Sequence, residues 1–288
     1  LKKFSDPYWF QALGCVLGFD WHSSGVTTTV CGAVKEGIRG LQSELKLVVA
    51  GGKGAASRHT PDDIRQSAEI ISLVFDAEKL VYNSKMSAKI DNTAVQDGYQ
   101  LYHHTFLFNQ EGDWAVIQQG MNETKGWARR YHWYSPTLSS FIIDPHAAVC
   151  ADHRGNILLN MVAGEAESNR HAVAHLSKEK PEMIEKETKK IIECNLSHRH
   201  PVTLDDLNPR YFHKTLLKTY ERQPKNFQSL LEIEGVGPKT VRALALIAEL
   251  LYGAPISTRD PARYSFAHGG KDGYPYPVDR PNYDRSIE

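Results

Sequence analysis

The chain has 288 residues, 34 basic and 34 acidic side chains, and a formal net charge of zero. This length suits one large or two ordinary domains, and the balance of 41% hydrophobic and 24% charged residues indicates a soluble globular protein. The zero net charge excludes a global field that would draw the chain to DNA or membrane, and four cysteines without a Cys-x-x-Cys pair exclude a zinc knuckle and a disulfide framework.

Residues 1–164 predict a mixed α+β domain. A helix is predicted over 62–79, where Pro61 and Asp62 mark its start and apolar residues recur at helical spacing. The stretches that predict strands are 44–52, the two arms of a β-hairpin within 102–120, 139–145 and 155–162. We expect this domain to carry any chemistry.

Residues 165–288 predict an all-helical domain. The helix predicted over 179–196 is rich in charge and is expected to turn its apolar side chains inward, namely Met183, Ile184, Ile191 and Ile192. A linker-like break follows at 197–209, and helices are expected again from about 210 to Tyr252. The tail, 254–288, is expected to be irregular but ordered, because it contains aromatic side chains that can be buried.

The stretch "EGVGPKT" in the second half has the features of a hairpin between two helices. Gly235 and Gly237 allow a positive φ, and Pro238 suits the first turn of the following helix. The free N–H groups of that turn, with Lys239 and Thr240 beside them, suit a phosphate. Together these residues resemble a helix-hairpin-helix motif, which holds a DNA backbone without reading its sequence. The alternative is a turn that only joins two helices.

A second candidate for DNA contact is a group of basic and aromatic side chains within residues 127–133. Arg129 and Arg130 stand among Trp127, Tyr131 and Trp133, and such a surface could stack on unpaired bases, although core packing explains these aromatics equally well. The residues expected to contact DNA are Gly235, Gly237, Lys239, Thr240, Arg242, Lys218, Arg129 and Arg130.

The densest group of polar side chains falls within "KMSAKIDNTAVQDGYQLYHHTFLF". Carboxylates and imidazoles that hold Mg²⁺ or Mn²⁺ would suit phosphodiester hydrolysis, since the metal activates water and stabilises the leaving oxygen. On a strand, His103 and His104 point to opposite faces, so at most one would meet a given metal. The catalytic candidates are Asp20, His22, Lys85, Asp97, His103 and His104, with Asp20, Asp97 and His103 as metal ligands. The alternative is that these residues are loop caps and satisfied buried histidines.

The hairpin lysine raises a different enzymatic alternative. In the helix-hairpin-helix DNA glycosylases, a lysine at the position of Lys239 serves as a nucleophile, and an aspartate follows in a Val-Asp context. Here Asp279 stands in "YPVDRP", but it lies 40 residues after Lys239, farther than in those enzymes. The chain also has no four-cysteine iron–sulfur loop. Lys239 is therefore better explained as an anchor for phosphate.

Several longer stretches resemble a prokaryotic family known as domain of unknown function seven-six-three. They are "YWFQALGCVLGFDWHSSGVTTTV", "VAGGKG", "AVQDGYQLYHHTFLF", "WAVIQQGMN", "ARRYHW", "GVGPKTVRALALIAELLYG" and "RDPARYSFAHGGKDGYPYPVDR". Members of the family have a further N-terminal segment with a Leu-His-Gly-Gly stretch, so we expect this chain to be a fragment. The resemblance carries no activity that can be transferred.

The leading hypothesis is a structure-specific, metal-dependent nuclease that acts on branched or unpaired DNA. A base-excision glycosylase or lyase, and a DNA-binding module without catalysis, are the alternatives. The expected partners are DNA, through its backbone, and a second copy of the chain in a homodimer. No apolar run reaches about 18 residues and no signal peptide opens the chain, so we expect a cytoplasmic protein without a membrane partner.

Overall fold

A computed structural model of the chain describes residues 1–19, 25–151, 158–193 and 207–264. It confirms the mixed α+β class, with the sheet in the N-terminal half and helices toward the C-terminus. The α-helices of the described residues are α1 (Lys2–Ser5), α2 (Pro7–Val16), α3 (Val26–Gly37), α4 (Gln42–Leu45), α5 (Ala55–Arg58), α6 (Thr60–Ile70), α7 (Ala77–Lys89), α8 (Glu167–Leu176), α9 (Pro181–Glu193), α10 (Pro209–Arg222), α11 (Phe227–Leu231) and α12 (Pro238–Tyr252). A π-helix, Ile90–Ala94, directly follows α7.

The main sheet has five strands in the order β1-β3-β4-β5-β6, and every neighbouring pair is antiparallel. The strands of the described residues are β1 (Leu47–Lys53), β2 (Val95–Gln96), β3 (Gln100–Asn109), β4 (Trp114–Asn122), β5 (Trp127–Tyr134), β6 (Ala148–Ala151) and β7 (Leu159–Asn160). Strands β2 and β7 form a separate antiparallel pair. The predicted hairpin is confirmed as β3 and β4, and its turn places Gly112 at φ +90°.

Both faces of the main sheet are covered, so its strands contain long apolar runs. One face packs against the N-terminal helices through Phe10, Val26, Val30, Val49 and Leu107. The other face belongs to a larger core, which runs from the sheet through α6 and α7 into the C-terminal helices. This larger core contains residues from both sides of the boundary predicted between 164 and 165, and the division into two domains stays a prediction.

Two predicted elements of the N-terminal half are wrong. The helix expected over 62–79 is two helices, because Ser72 takes φ +54° and its carbonyl accepts a hydrogen bond from Gln110 in the β-hairpin turn. The strand expected over 139–145 is a series of turns in which Asp144 takes φ +38°. In both places, a left-handed residue with long-range hydrogen bonds interrupts a locally plausible pattern.

The helices predicted for the second half are confirmed as α9 to α12. The prediction of which side chains of α9 are buried is partly wrong. Ile184 is fully buried and Ile191 is half-buried, but Met183 and Ile192 are exposed. Adjacent residues of a helix point about 100° apart, so both members of each neighbouring pair cannot face the core. No helix among the described residues is long and apolar enough to cross a membrane.

Candidate nucleic-acid interface and buried polar clusters

The predicted hairpin joins α11 to α12. Helix α11 starts with a capping box in which the side chains of Asn226 and Ser229 exchange hydrogen bonds with each other's backbone. In the turn, Gly235 takes φ +94°, a conformation that favours glycine, and Val236 beside it is fully buried. Gly237 is the N-cap of α12 and Pro238 is its first residue. The buried valine anchors the turn to the core and fixes the glycines at its surface.

Side chains from the N-terminal half hold the carbonyl groups of this turn. The ammonium of Lys89 donates to the Val236 oxygen, and the Gln96 amide donates to the Pro238 oxygen at 2.9 Å. In a trans peptide, the carbonyl of one residue and the N–H of the next point in opposite directions. The amides of Gly237 and Lys239 therefore point away from the residues that hold those carbonyls.

The N-cap residue of α12 provides no side-chain hydrogen bond to the first amides of the helix. Its N-cap glycine has no side chain that could satisfy the first amides, and the first turn contains no acidic residue. Lys239 is exposed at this end, and Thr240 is 4% exposed. The amides, the ammonium and the hydroxyl are three kinds of donor at one helix end.

The other residues expected to contact DNA differ in how accessible their charge is. Lys218 forms a 2.9 Å ion pair with Glu234, and this hydrogen bond lowers the pKa of the Glu234 carboxyl. Arg242 is half-buried, and its Nε atom donates to the side-chain oxygen Oε1 of Gln96 at 2.9 Å. Of Lys218, Lys239 and Arg242, Lys239 is thus the most exposed.

A cavity of about 300 Å³ adjoins the start of α12. Its lining residues are Leu207, Asn208, Tyr211, Phe212, Lys239 and Thr240. The Asn208 side chain caps α10 by accepting from the Tyr211 amide at 3.2 Å. Tyr211 is 62% exposed, whereas Phe212 is 4% exposed and forms the floor with the core.

The basic-aromatic surface expected around β5 is not on the surface of the structure. Arg129 and Arg130 are both fully buried, as are Tyr131 and Trp133. The guanidinium of Arg129 lies 2.8 Å from Asp97 and 2.8 Å from Asp260, so its charge is compensated inside the protein. Because solvent does not reach the two arginines, they form no exposed basic surface, and DNA contact through them stays a prediction that the described geometry does not support.

Arg130 lies on the opposite face of the sheet from Arg129 and makes polar contacts only to neutral groups among the described residues. It donates to Gln11 at 3.0 Å and to the Nε2 atom of His132 at 2.8 Å. Because a guanidinium only donates and a carbonyl only accepts, His132 accepts at Nε2 and donates from Nδ1 to the Phe4 oxygen, 3.0 Å away. His132 is thus neutral, in agreement with a pKa that burial holds well below its usual range.

The structure does not bring the described metal candidates together. His103 and His104 point to opposite faces of the sheet, as predicted, and Asp97 lies with Arg129 and Tyr131 on the face of His104. His103 bonds to Thr105 at 2.9 Å, and burial lowers its pKa to about 3. In the described ranges, no three His, Cys, Asp or Glu side chains form a group that could hold a metal ion.

The remaining catalytic candidates have separate positions. Asp20 and His22 lie outside the described residues. Lys85 is exposed on α7, and Lys89, the last residue of the same helix, is bound to the hairpin carbonyl. The Mg²⁺ or Mn²⁺ site stays a prediction.

A buried chain of hydrogen bonds links α7, the sheet and the π-helix. The Gln118 amide nitrogen donates to Asp91 at 2.6 Å, so its carbonyl oxygen faces Nδ1 of His104, 3.0 Å away, and must accept. His104 then accepts at Nε2 from the Ser84 hydroxyl at 2.8 Å, which is the direction that a general base requires. All four side chains are at most 7% exposed, and the described cavity lies elsewhere.

Asp91 is the centre of this network and was not among the predicted site residues. Its carboxylate also accepts from Trp133 at 2.9 Å and from His146 at 2.5 Å. The available signal was its place in the densest polar stretch. No local pattern indicates the π-helix that turns Asp91 inward, nor the distant partner His146. Gln96 and Tyr211, which border the hairpin and the cavity, were also missed.

Comparison with known proteins identifies the family. A family model described as "Protein of unknown function (DUF763)" matches residues 1–278, and the chain belongs to this family. No curated protein and no solved structure matches the chain.

Proposed function

We propose that the chain binds DNA through backbone phosphates at the hairpin between α11 and α12. The observation that carries the proposal is the uncapped N-terminus of α12, where Gly237 and Lys239 direct their amides away from Lys89 and Gln96. Backbone amides at a helix N-terminus bind phosphate oxygens, and the partial positive charge of the helix favours an anion there.

The nature of the donors supports binding without sequence recognition. Backbone amides, the Lys239 ammonium and the Thr240 hydroxyl suit phosphate oxygens rather than the edges of bases in a groove. The chain has no net charge, so attraction to DNA has to come from a local group of this kind. Gly-Val-Gly-Pro-Lys as a helix-hairpin-helix turn is part of this proposal.

The enzymatic predictions have less support. A metal-dependent nuclease needs ligands that converge, and Asp97 and His103 lie on opposite sides of the sheet. A glycosylase or lyase would need Asp279, which lies outside the described residues. Both activities stay predictions, whereas binding of DNA is the function that the described geometry supports best.

Replacement of Lys239 by alanine is expected to lower the affinity for duplex DNA about fivefold, since one phosphate contact of about 1 kcal/mol is lost. The slope of log affinity against log salt should decrease by about 0.9, which corresponds to one fewer released counterion. Fluorescence anisotropy with a labelled duplex at several salt concentrations measures both quantities.

Lys2→Ala is the matched control for this experiment. Lys2 is exposed on α1, which packs on the strands β4 and β5. The hairpin between α11 and α12 lies on the other side of the main sheet, against α7 and the π-helix. The control should bind as the unchanged chain does. If Lys239→Ala and Lys2→Ala behave alike, the hairpin is not the phosphate site.

A further inference from the structure

We propose that the cavity between α10 and α12 receives a single unpaired nucleotide of DNA, with its base against Tyr211 and its phosphate at the start of α12. This inference rests on the proposed function and extends it from the backbone to one class of DNA structure. It goes beyond phosphate binding because the cavity would select DNA with a nucleotide outside the base stack.

The size and lining of the cavity agree with one nucleotide. Its volume of about 300 Å³ lies at the lower end of the range for small-ligand sites, roughly 300–1,000 Å³, which is too small for a longer piece of strand. Leu207, Tyr211 and Phe212 supply an apolar and aromatic wall. A base has a flat π-face that stacks on such a ring regardless of its identity.

The exposure of Tyr211 is the second observation. A ring of this size is 62% exposed although it stands beside a cavity and next to the hairpin, where burial would have been favourable. Its hydroxyl lies 3.9 Å from the position that a Cβ atom of Gly235 would occupy. The ring therefore stands next to the turn that would hold the DNA backbone.

Thr240 provides the third observation. Its side chain lines the cavity and is 4% exposed. A threonine hydroxyl can donate a hydrogen bond to a phosphate oxygen. The uncapped amides of α12 and the Lys239 ammonium lie at the same end, and a phosphate oxygen matches all three groups.

The experiment compares three DNA molecules with the full chain. They are a perfect duplex, the same duplex with a one-nucleotide bulge, and a duplex in which the bulged nucleotide is abasic. We expect the chain to bind the bulged duplex about tenfold more tightly than the perfect duplex. The abasic bulge should bind only as tightly as the perfect duplex, because stacking of the base on the aromatic ring supplies the preference. A 2-aminopurine base in the bulge should lose fluorescence on binding.

Tyr211→Ala should abolish the preference for the bulge, so that the ratio of the bulge affinity to the duplex affinity falls to about one. Tyr211→Phe keeps the ring and should keep the preference. The exposure of Tyr211 makes a folding defect unexpected, and circular dichroism checks that the alanine variant is folded. The inference is overturned if the unchanged chain binds bulge and duplex equally, or if the alanine variant retains the preference. Absence of binding to any of the three would instead overturn the proposed function.

Discussion

Lowering the pH from 7 to 5 is expected to destabilise the chain by a few kcal/mol, because buried histidines that are neutral in the folded state take up protons when the chain unfolds. Burial lowers the pKa of His103 to about 3, lowers that of His104, and holds that of His132 well below its usual range. The unfolded chain binds protons on these side chains below about pH 6.5. Stability is therefore unaffected above that pH and is lost as the pH falls toward the folded pKa values.

The size of this effect follows from the number of groups. Each histidine that is protonated only in the unfolded state changes the free energy of unfolding by about 1.4 kcal/mol per pH unit, so His103 alone gives about 2 kcal/mol between pH 6.5 and pH 5, and His104 and His132 add to this in the same direction. Total stabilities are commonly about 5–15 kcal/mol, so this loss is a substantial fraction of the whole. The hydrogen bonds agree with this, since protonation would place two donors, on His132 and Arg130, face to face.

Denaturant unfolding between pH 5 and pH 7.5 measures this dependence. His103→Gln should reduce the slope by about 1.4 kcal/mol per pH unit, since the proton that this histidine takes up on unfolding is no longer involved. His171→Gln is the matched control, because its side chain is 80% exposed on α8. A slope in the unchanged chain that corresponds to a single proton or less would contradict the prediction.

Replacement of Arg129 by methionine is expected to cost about 3–5 kcal/mol, which is the usual effect of removing one partner of a buried ion pair. Asp97 and Asp260 each lie 2.8 Å from this guanidinium and would keep buried charges without a cation. Burial alone would lower the pKa of Arg129, but these two carboxylates outweigh it and raise the pKa, so the side chain is charged. The guanidinium also lies over the Tyr99 ring, 4.5 Å from its centre.

The readouts are the free energy of unfolding and limited proteolysis. Asp260 belongs to the segment 254–264, and Arg129 is one of the residues that hold this segment to the sheet, so cleavage there should become faster in Arg129→Met. Arg39→Met removes an exposed ion pair with Glu36, whose side chains are 73% and 62% exposed, and should change stability by less than about 1 kcal/mol. Equal effects of the two substitutions would mean that the buried pair contributes no more than the exposed one.

Local patterns were sufficient where the determining contacts are local. The β-hairpin of β3 and β4 and the start of α12 at Pro238 follow from turn and cap residues within a few positions. The opposite orientation of His103 and His104 follows from the alternation of a strand. These features gave the fold class and the proposed phosphate site.

The expectations that the structure does not match share a physical cause. In each, the decisive hydrogen bond or ion pair is made with a residue far away in the sequence. Arg129 was predicted on the surface because its neighbours in the sequence are basic and aromatic, but its counterion Asp260 is 131 residues away. The helix expected over 62–79 is interrupted by a hydrogen bond from Gln110, 38 residues beyond Ser72. Propensity and spacing within a window contain no information about such pairs, and they decide which polar groups are buried.

The short segment from Lys89 to Gln96 has a consequence for how the chain unfolds. Its two ends hold the carbonyls of the hairpin, and Asp91 between them accepts hydrogen bonds from two strands of the sheet. Melting of the sheet would release the hairpin, and detachment of the hairpin would strain the sheet. We therefore expect one calorimetric transition, with equal van't Hoff and calorimetric enthalpies, and amides in the middle of α12 that exchange with deuterium only during global opening.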